Sequence, residues 1–299
     1  MNVDVDVNHN NQKLKISPNI IFNYTPIISM CIKHLAGIGI KALLIDMDKT
    51  ILKIHSFGTW ALTKKPLEDF VKQRNMVEDF ADSNFFKCLV SSCEPNNIQI
   101  FIVSFGSKYL ITKYMEAIGL DQLVKICTPS DIGFTDGHTI AGGKIQQINH
   151  ILKSNGWDNT NIIFIDDDEL NCKIALQNNI SYTYKVGSKG FIINDWVEIM
   201  EKIFGKNVSQ LFEVIKHSSY VETDRIGAEK LLKGQVIGTY LTRLAISQPF
   251  NVAFCYVQFN QKLGYNMIIH TLIDQHSQID DWLKTKLIKE GSAFKPLFG

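Results

Sequence analysis

The chain has 299 residues, 45% hydrophobic and 20% charged, which supplies enough apolar surface for a globular protein of two domains. With 31 Lys and Arg against 30 Asp and Glu its formal charge is +1, so no broad basic field for nucleic acid exists and any anion site must be local. The 6 cysteines form no C-x-x-C pair, no apolar run reaches membrane-spanning length, and the first residues lack the basic-then-apolar order of a secretion signal. A cytoplasmic protein with reduced thiols is the expectation, with export by another route invisible to such a reading.

Residues 1–16 read as a mobile, polar tail rich in Asn. "TPIISMCIKHLAG" predicts a helix, and from Lys41 onward apolar runs alternate with helical patterns. "ALLIDM", "IQIFIVS", "LVKIC" and "NIIFIDD" predict buried strands, and helices are expected over about 107–118, 145–154 and 169–178. That alternation predicts an α/β fold, a doubly wound parallel sheet, over a first domain spanning 17–204. After "SYTYKVG" the alternation stops, and "FIINDWVEIMEKIFGKN" predicts a helix leading away. Residues 205–299 then read as a smaller α+β domain. They hold one helix, "IGAEKLLKG", the strands "GTYLTRLAI", "NVAFCYVQF" and "YNMIIHTLI", and a last helix from about Ile279.

In doubly wound sheets ligands gather at the carboxyl ends of the strands. Asp46, Ser104 and Asp166 each end one of the predicted strands. Asp46 at a strand tip could attack phosphorus, and Asp48 could protonate a leaving oxygen and later deprotonate water. For acid work Asp48 would need a pKa above its ordinary value of about 3.9. The alternative is two solvated carboxylates where a strand becomes a loop. Ser104 precedes a glycine-containing turn and a helix, a place where a hydroxyl and backbone N–H groups can meet a phosphate. Lys144 follows two glycines at a helix start. The acidic run Asp166, Asp167 and Asp168 repels itself unless it holds a cation, and an all-oxygen set beside a phosphate points to magnesium.

Residues 41–186 resemble the haloacid-dehalogenase (HAD) superfamily. "DMDKT" is similar to its D-x-D-x-T/V motif, Ser104 and Lys144 to its second and third motifs, and "DDDELN" to a D-D-x-x-x-N form of the fourth. The resemblance implies Asp46 as nucleophile and magnesium ligand, Asp48 as acid/base, and Ser104 and Lys144 as phosphate holders. It also implies Asp167 as the foremost metal carboxylate with Asp166 second, coordination through the Asp48 carbonyl, Thr50 bracing the loop and Asn171 supporting the last motif. Positions 50 and 104 are 54 apart and positions 104 and 144 are 40 apart, too close for the large cap domains that some members insert there. An open site suits a phosphate displayed on a macromolecule. His55 and Trp60 could shape its rim and stack on an aromatic leaving group, or be a surface residue and a loop anchor.

Residues 221–273 resemble a Src-homology-2 (SH2) domain: "AEKLL" is similar to its first helix and "GTYLTR" to its G-T-F-L-V-R strand. The resemblance implies that Arg243 grips phosphotyrosine bidentately, with Arg225, His270 and Ser247 around the phosphate. The usual Trp at the domain start is missing, with only Tyr220 near it, and few residues follow Ile273 before the last helix. Little selectivity for residues after the phosphotyrosine is therefore expected.

Together these readings predict a magnesium-dependent phosphatase that acts on phosphotyrosyl proteins tethered by its C-terminal domain. Such a pairing fits an intracellular pathogen's effector in host cytosol, and equally a protist enzyme. Two rivals remain: a phosphotyrosine-binding adaptor whose first domain is inactive, and a phosphatase of small molecules or lipids.

Overall fold

A computed structural model describes residues 24–216, 220–245, 250–273 and 295–297. The polar tail, Ser247 and the helix expected from Ile279 lie outside the described residues. β1 (Ala42–Ile45), β2 (Gln99–Val103), β3 (Val124–Cys127), β4 (Ile162–Asp166) and β5 (Thr183–Lys185) form one parallel sheet in the order β3-β2-β1-β4-β5. Along and between them run α1 (Thr25–Gly37), α2 (Ser56–Thr63), α3 (Leu67–Gln73), α4 (Ser83–Cys93), α5 (Lys108–Ala117), α6 (Ile145–Asn155), α7 (Glu169–Gln177) and α8 (Ile193–Phe204).

The strands are continuous apolar runs because the sheet is covered on both faces. Leu43, Ile45, Ile100, Ile102, Ile163 and Ile165 point to one core, which is completed by α1, α4, α5 and α8. Their alternate neighbours Leu44, Phe101, Val103, Ile162 and Phe164 pack with Ile148, Ile151 and Ala175 of α6 and α7 in a second core. β1 lies at the centre with β2 on one side and β4 on the other, so chain order reverses about it. That switch point opens a crevice beyond the carboxyl ends of the strands, where Asp46 sits.

The stretch between β1 and β2 holds α2, α3, a 3₁₀ turn and α4, and that between β2 and α6 holds α5, β3 and one short turn. No large inserted domain occurs in either. α4 packs against α1, and of the helices between β1 and β2 only α2 lines the crevice, through Phe57. All 6 cysteines are free thiols.

α9 (Ser209–Lys216) is a helix that the sequence reading did not foresee. Its Leu211, Phe212 and Val214 join the first core, and Phe212 meets Tyr24 edge-on at 6.1 Å. Two turns are too short a window for a helical period to stand out. In the C-terminal part, α10 (Arg225–Leu232), β6 (Thr239–Leu244), β7 (Val252–Asn260), β8 (Tyr265–Ile273) and the two-residue β9 (Lys295–Pro296) form a second unit. Its sheet runs β8-β7-β6-β9, with β6, β7 and β8 antiparallel. α10 places Ala228 and Leu232 on Leu241, Ala253, Cys255 and Val257. The opposite face, including Tyr240, Val252, Phe254 and Tyr256, packs into the first core, so both sides of this sheet are covered too. Tyr220 bridges in parallel to Thr242, at the place where the missing Trp was noted.

Candidate active site

At Asp46 the chain leaves β1 but keeps one ladder bond, from its N–H to the Ile165 carbonyl at 2.9 Å. A tight turn over Met47–Ile51 follows, in which Asp48 is extended and Lys49 adopts the left-handed region at φ 57°. A non-glycine residue there costs about 1–2 kcal/mol, and bonds such as Lys49 N–H to the Ile54 carbonyl at 2.9 Å hold it in place. The turn brings both carboxylates to one cavity of about 600 Å³, which Ser104, Lys144, Asp166 and Asp167 also line. These are the residues picked out from the strand ends and the fourth motif, now in one place.

Lys144 is the hub. Its ammonium is 3% exposed and donates to Asp46 Oδ1 and, at 2.7 Å, to Asp166 Oδ2. Burial pushes the Asp46 carboxyl up, against the pull of Lys144 and with the push of Asp166. Burial would lower the Lys144 pKa, but Asp166 and Asp46 outweigh it and hold the ammonium firmly charged. Lys144→Met leaves the two buried carboxylates unneutralised, which costs about 3–5 kcal/mol; urea unfolding with EDTA present measures it as a lower midpoint.

Asp48 corrects the expectation of a raised pKa. Burial does push it up, but bonds from His55 and Ser56 outweigh burial and hold the carboxyl below its ordinary value. Ser56 donates both its N–H, at 2.8 Å, and its hydroxyl, at 2.5 Å, to Asp48 Oδ1. His55 Nδ1 lies 2.9 Å from Asp48 Oδ2, and that bond raises the imidazole pKa. Asp48 is therefore held as a carboxylate against His55, whose Nδ1 also accepts from the Gly58 N–H at 3.2 Å. The sequence could not show this, since it turns on which rotamer Asp48 adopts towards the next helix.

Ser104 is 2% exposed, and its hydroxyl accepts from the Gly106 N–H at 3.0 Å. Gln147, unforeseen, is fully buried one turn beyond Lys144 and donates to the carbonyls of Ser104 and Cys127 at 2.9 Å each. It ties α6, and with it Lys144, to the ends of β2 and β3. Its signal was a Gln on the apolar face of a helix. Asn171 reaches Asp166 Oδ1 and Oδ2 at 3.4 and 3.3 Å, in keeping with a supporting role. Asp168 instead caps α7, accepting from the N–H groups of Leu170 and Asn171.

Carboxylate oxygens of Asp46, Asp166 and Asp167 lie within 4.8 Å of one another, and burial followed by Asp166 raises the Asp167 pKa. Three hard oxygen donors, two of them buried, fit a magnesium ion. Asp48 spends its carboxylate on Ser56 and His55, which leaves its carbonyl as the group it could offer.

Thr50 braces the loop differently from expectation. Its hydroxyl is buried without a partner among the described residues, while its carbonyl accepts the Phe191 N–H at 2.7 Å. The next-door Gly190, at φ +81°, passes so close that a Cβ there would sit 2.7 Å from that carbonyl oxygen. Trp60 is the loop anchor of the two readings, donating from Nε1 to the Lys65 carbonyl at 3.0 Å. The aromatic residue that lines the cavity beside His55 is Phe57, which the sequence reading passed over.

In the C-terminal unit, strand alternation puts Leu241, Arg243 and Ala245 on the side facing α10. Arg243 does not reach solvent as an edge residue would: β6 is an inner strand and Arg243 is 7% exposed. Among the described residues its guanidinium donates to the Leu244 carbonyl at 3.1 Å, and its Nε has no partner. His270 stands across from Cys255 on β7, 3.0 Å from its sulfur, and its Nε2 is 3.2 Å from Glu229. Arg225 donates to the same Glu229 carboxylate at 3.1 Å. Burial, then Arg225 and Arg243, lower the His270 pKa, so all three basic groups act on one region.

No protein-family profile matches the chain, and no curated protein does. Among solved structures it is similar to a haloacid-dehalogenase-like family hydrolase from Streptococcus pneumoniae, at 12% identity over 54% of this chain and 91% of that one, with a TM-score of 0.30. It is also similar to the L-2-haloacid dehalogenase of Xanthobacter autotrophicus, at 10% identity over 49% and 77%, with a TM-score of 0.30. Likenesses at this level carry no argument about chemistry, which rests on the side chains.

Proposed function

We propose that the chain is a magnesium-dependent phosphatase of the haloacid-dehalogenase type that acts on phosphotyrosyl proteins held by its C-terminal unit. The observation that carries the first half is the convergence of Asp46, Lys144 and Asp166 at the carboxyl edge of a parallel sheet, with Asp48 held two residues on. In this reading Asp46 attacks phosphorus and forms an aspartyl-phosphate as the ester P–O bond breaks. The departing oxygen takes a proton from the Asp48–His55 pair. Asp48 then accepts a proton from water as that water attacks phosphorus, which frees Asp46 and yields inorganic phosphate. Lys144 and Ser104 hold phosphate oxygens. Magnesium, held by Asp46, Asp166 and Asp167 with the Asp48 carbonyl, would neutralise charge on the phosphate.

The second half is supported by Arg243, a buried guanidinium with an unpartnered Nε, flanked by Arg225 and His270. A phosphate dianion would satisfy those donors bidentately. Tethering raises the effective concentration of substrate at the open site. The test is phosphate release from phosphotyrosyl and phosphoseryl proteins and from small phosphate esters, with magnesium or EDTA. Magnesium-dependent release is expected, fastest from phosphotyrosyl protein. Release from nothing would leave a phosphotyrosine-binding adaptor, and release from small esters alone would leave a metabolite or lipid phosphatase.

A further inference from the structure

We propose that Phe57 is the specificity residue of this site, selecting phosphate esters with a flat aromatic leaving group; the inference rests on the phosphatase reading above. The cavity has two characters. Its floor is charged, with Asp46, Asp166 and Lys144, whereas its walls include Phe57, Phe105, Ile140 and Ile174. A phosphate belongs on the floor, so the group that leaves must lie against the apolar walls.

Phe57 is held in place from two sides. Its ring meets Trp60 in a T-shaped contact, centroids 5.1 Å apart at 67°. The ring tip touches Gly137 on the opposite loop, where a Cβ would come within 2.3 Å of Phe57 Cζ. Gly137 sits at φ +86°, and its N–H donates to the Phe105 carbonyl at 2.7 Å, which pins this loop beside Ser104. Phe57 thus spans the mouth from α2 to a loop anchored on the far wall, and only glycine fits beneath it.

Position in the chain then decides what the ring reads. Ser56, its immediate neighbour, donates two hydrogen bonds to Asp48, one half of the Asp48–His55 pair that faces the departing oxygen. The leaving group must therefore pass alongside residue 57. A hydrated sugar or polyol would strip water from its hydroxyls against these rings without regaining hydrogen bonds. A phenyl ring would instead gain edge or offset-stacked contact, an effect of up to about tenfold beyond area burial.

The experiment compares kcat/KM for phenyl phosphate and glycerol phosphate in the wild type and in Phe57→Tyr, Phe57→Leu and Phe57→Ala, with inorganic phosphate as inhibitor. Comparing the ratio of the two substrates between variants cancels the chemical difference between their leaving groups. The aryl preference is expected to persist in Phe57→Tyr, to fall about tenfold in Phe57→Ala through KM, and to be intermediate in Phe57→Leu, while phosphate inhibits all four alike. An aryl preference unchanged within twofold in both Phe57→Ala and Phe57→Leu overturns the inference and leaves the phosphatase reading intact. Release from neither ester by the wild type overturns that reading instead, and the inference with it.

Discussion

Asp46→Asn is expected to lower magnesium-dependent phosphate release by at least about a thousandfold, because an amide cannot attack phosphorus and no other carboxylate stands in its place. The same substitution is expected to leave the protein as stable as before or more so. Asp46 is buried against Asp166, and both press on a single ammonium, so burial pushes its carboxyl up. A group whose folded-state pKa is raised gives stability that is present below its unfolded value and is lost as pH rises through the folded one. With EDTA present, the wild type should therefore lose stability relative to Asp46→Asn as pH climbs from the ordinary carboxylate range towards neutrality. Urea unfolding of both proteins across that range measures the difference. A fall in activity with equal loss of stability would mean that Asp46 is a structural carboxylate and not the nucleophile.

Arg243→Ala is expected to weaken phosphotyrosine binding about thirty- to thousandfold, the loss for removing one partner of a buried, charge-assisted pair. Arg243→Lys should recover little, since an ammonium cannot reproduce two parallel N–H bonds. Without ligand, Arg243 is a buried cation that meets the Leu244 carbonyl and the Cys255 thiol among the described residues, with no carboxylate against it there, so Arg243→Met should be neutral or stabilising. Calorimetric titration with a phosphotyrosyl peptide, together with thermal melts, separates the two effects. Release from free phenyl phosphate should be untouched in all three variants. Binding that survives Arg243→Ala would place the phosphate somewhere other than on Arg243.

The strands of the first sheet and their ends were legible because both signals are local. A strand covered on both faces is apolar at every position, as in "ALLI", and the first acid after it marks the carboxyl edge. α9 was not, since its eight residues take their helical form from packing on Tyr24 and α1 more than from any pattern of their own. Among site residues, Asp46, Asp48, Ser104, Lys144, Asp166 and Asp167 could be named from position along the chain. Gln147 could not, because a buried Gln on a helix shows its purpose only when the carbonyls it serves are known.

By itself, then, the sequence determined the alternation of strands and helices, the acids at their ends and Lys144 as the candidate cation of the first domain, all of which follow from hydropathy period and neighbouring residues. Only the tertiary structure decided which atoms meet. Lys144 reaches Asp46 across 98 residues, Asp48 is held ionised by the helix that follows it, and Phe57 comes to rest on Gly137. Each depends on the angle at which a distant segment returns to the sheet. That angle is set by packing in the two cores, which no local stretch of the chain contains.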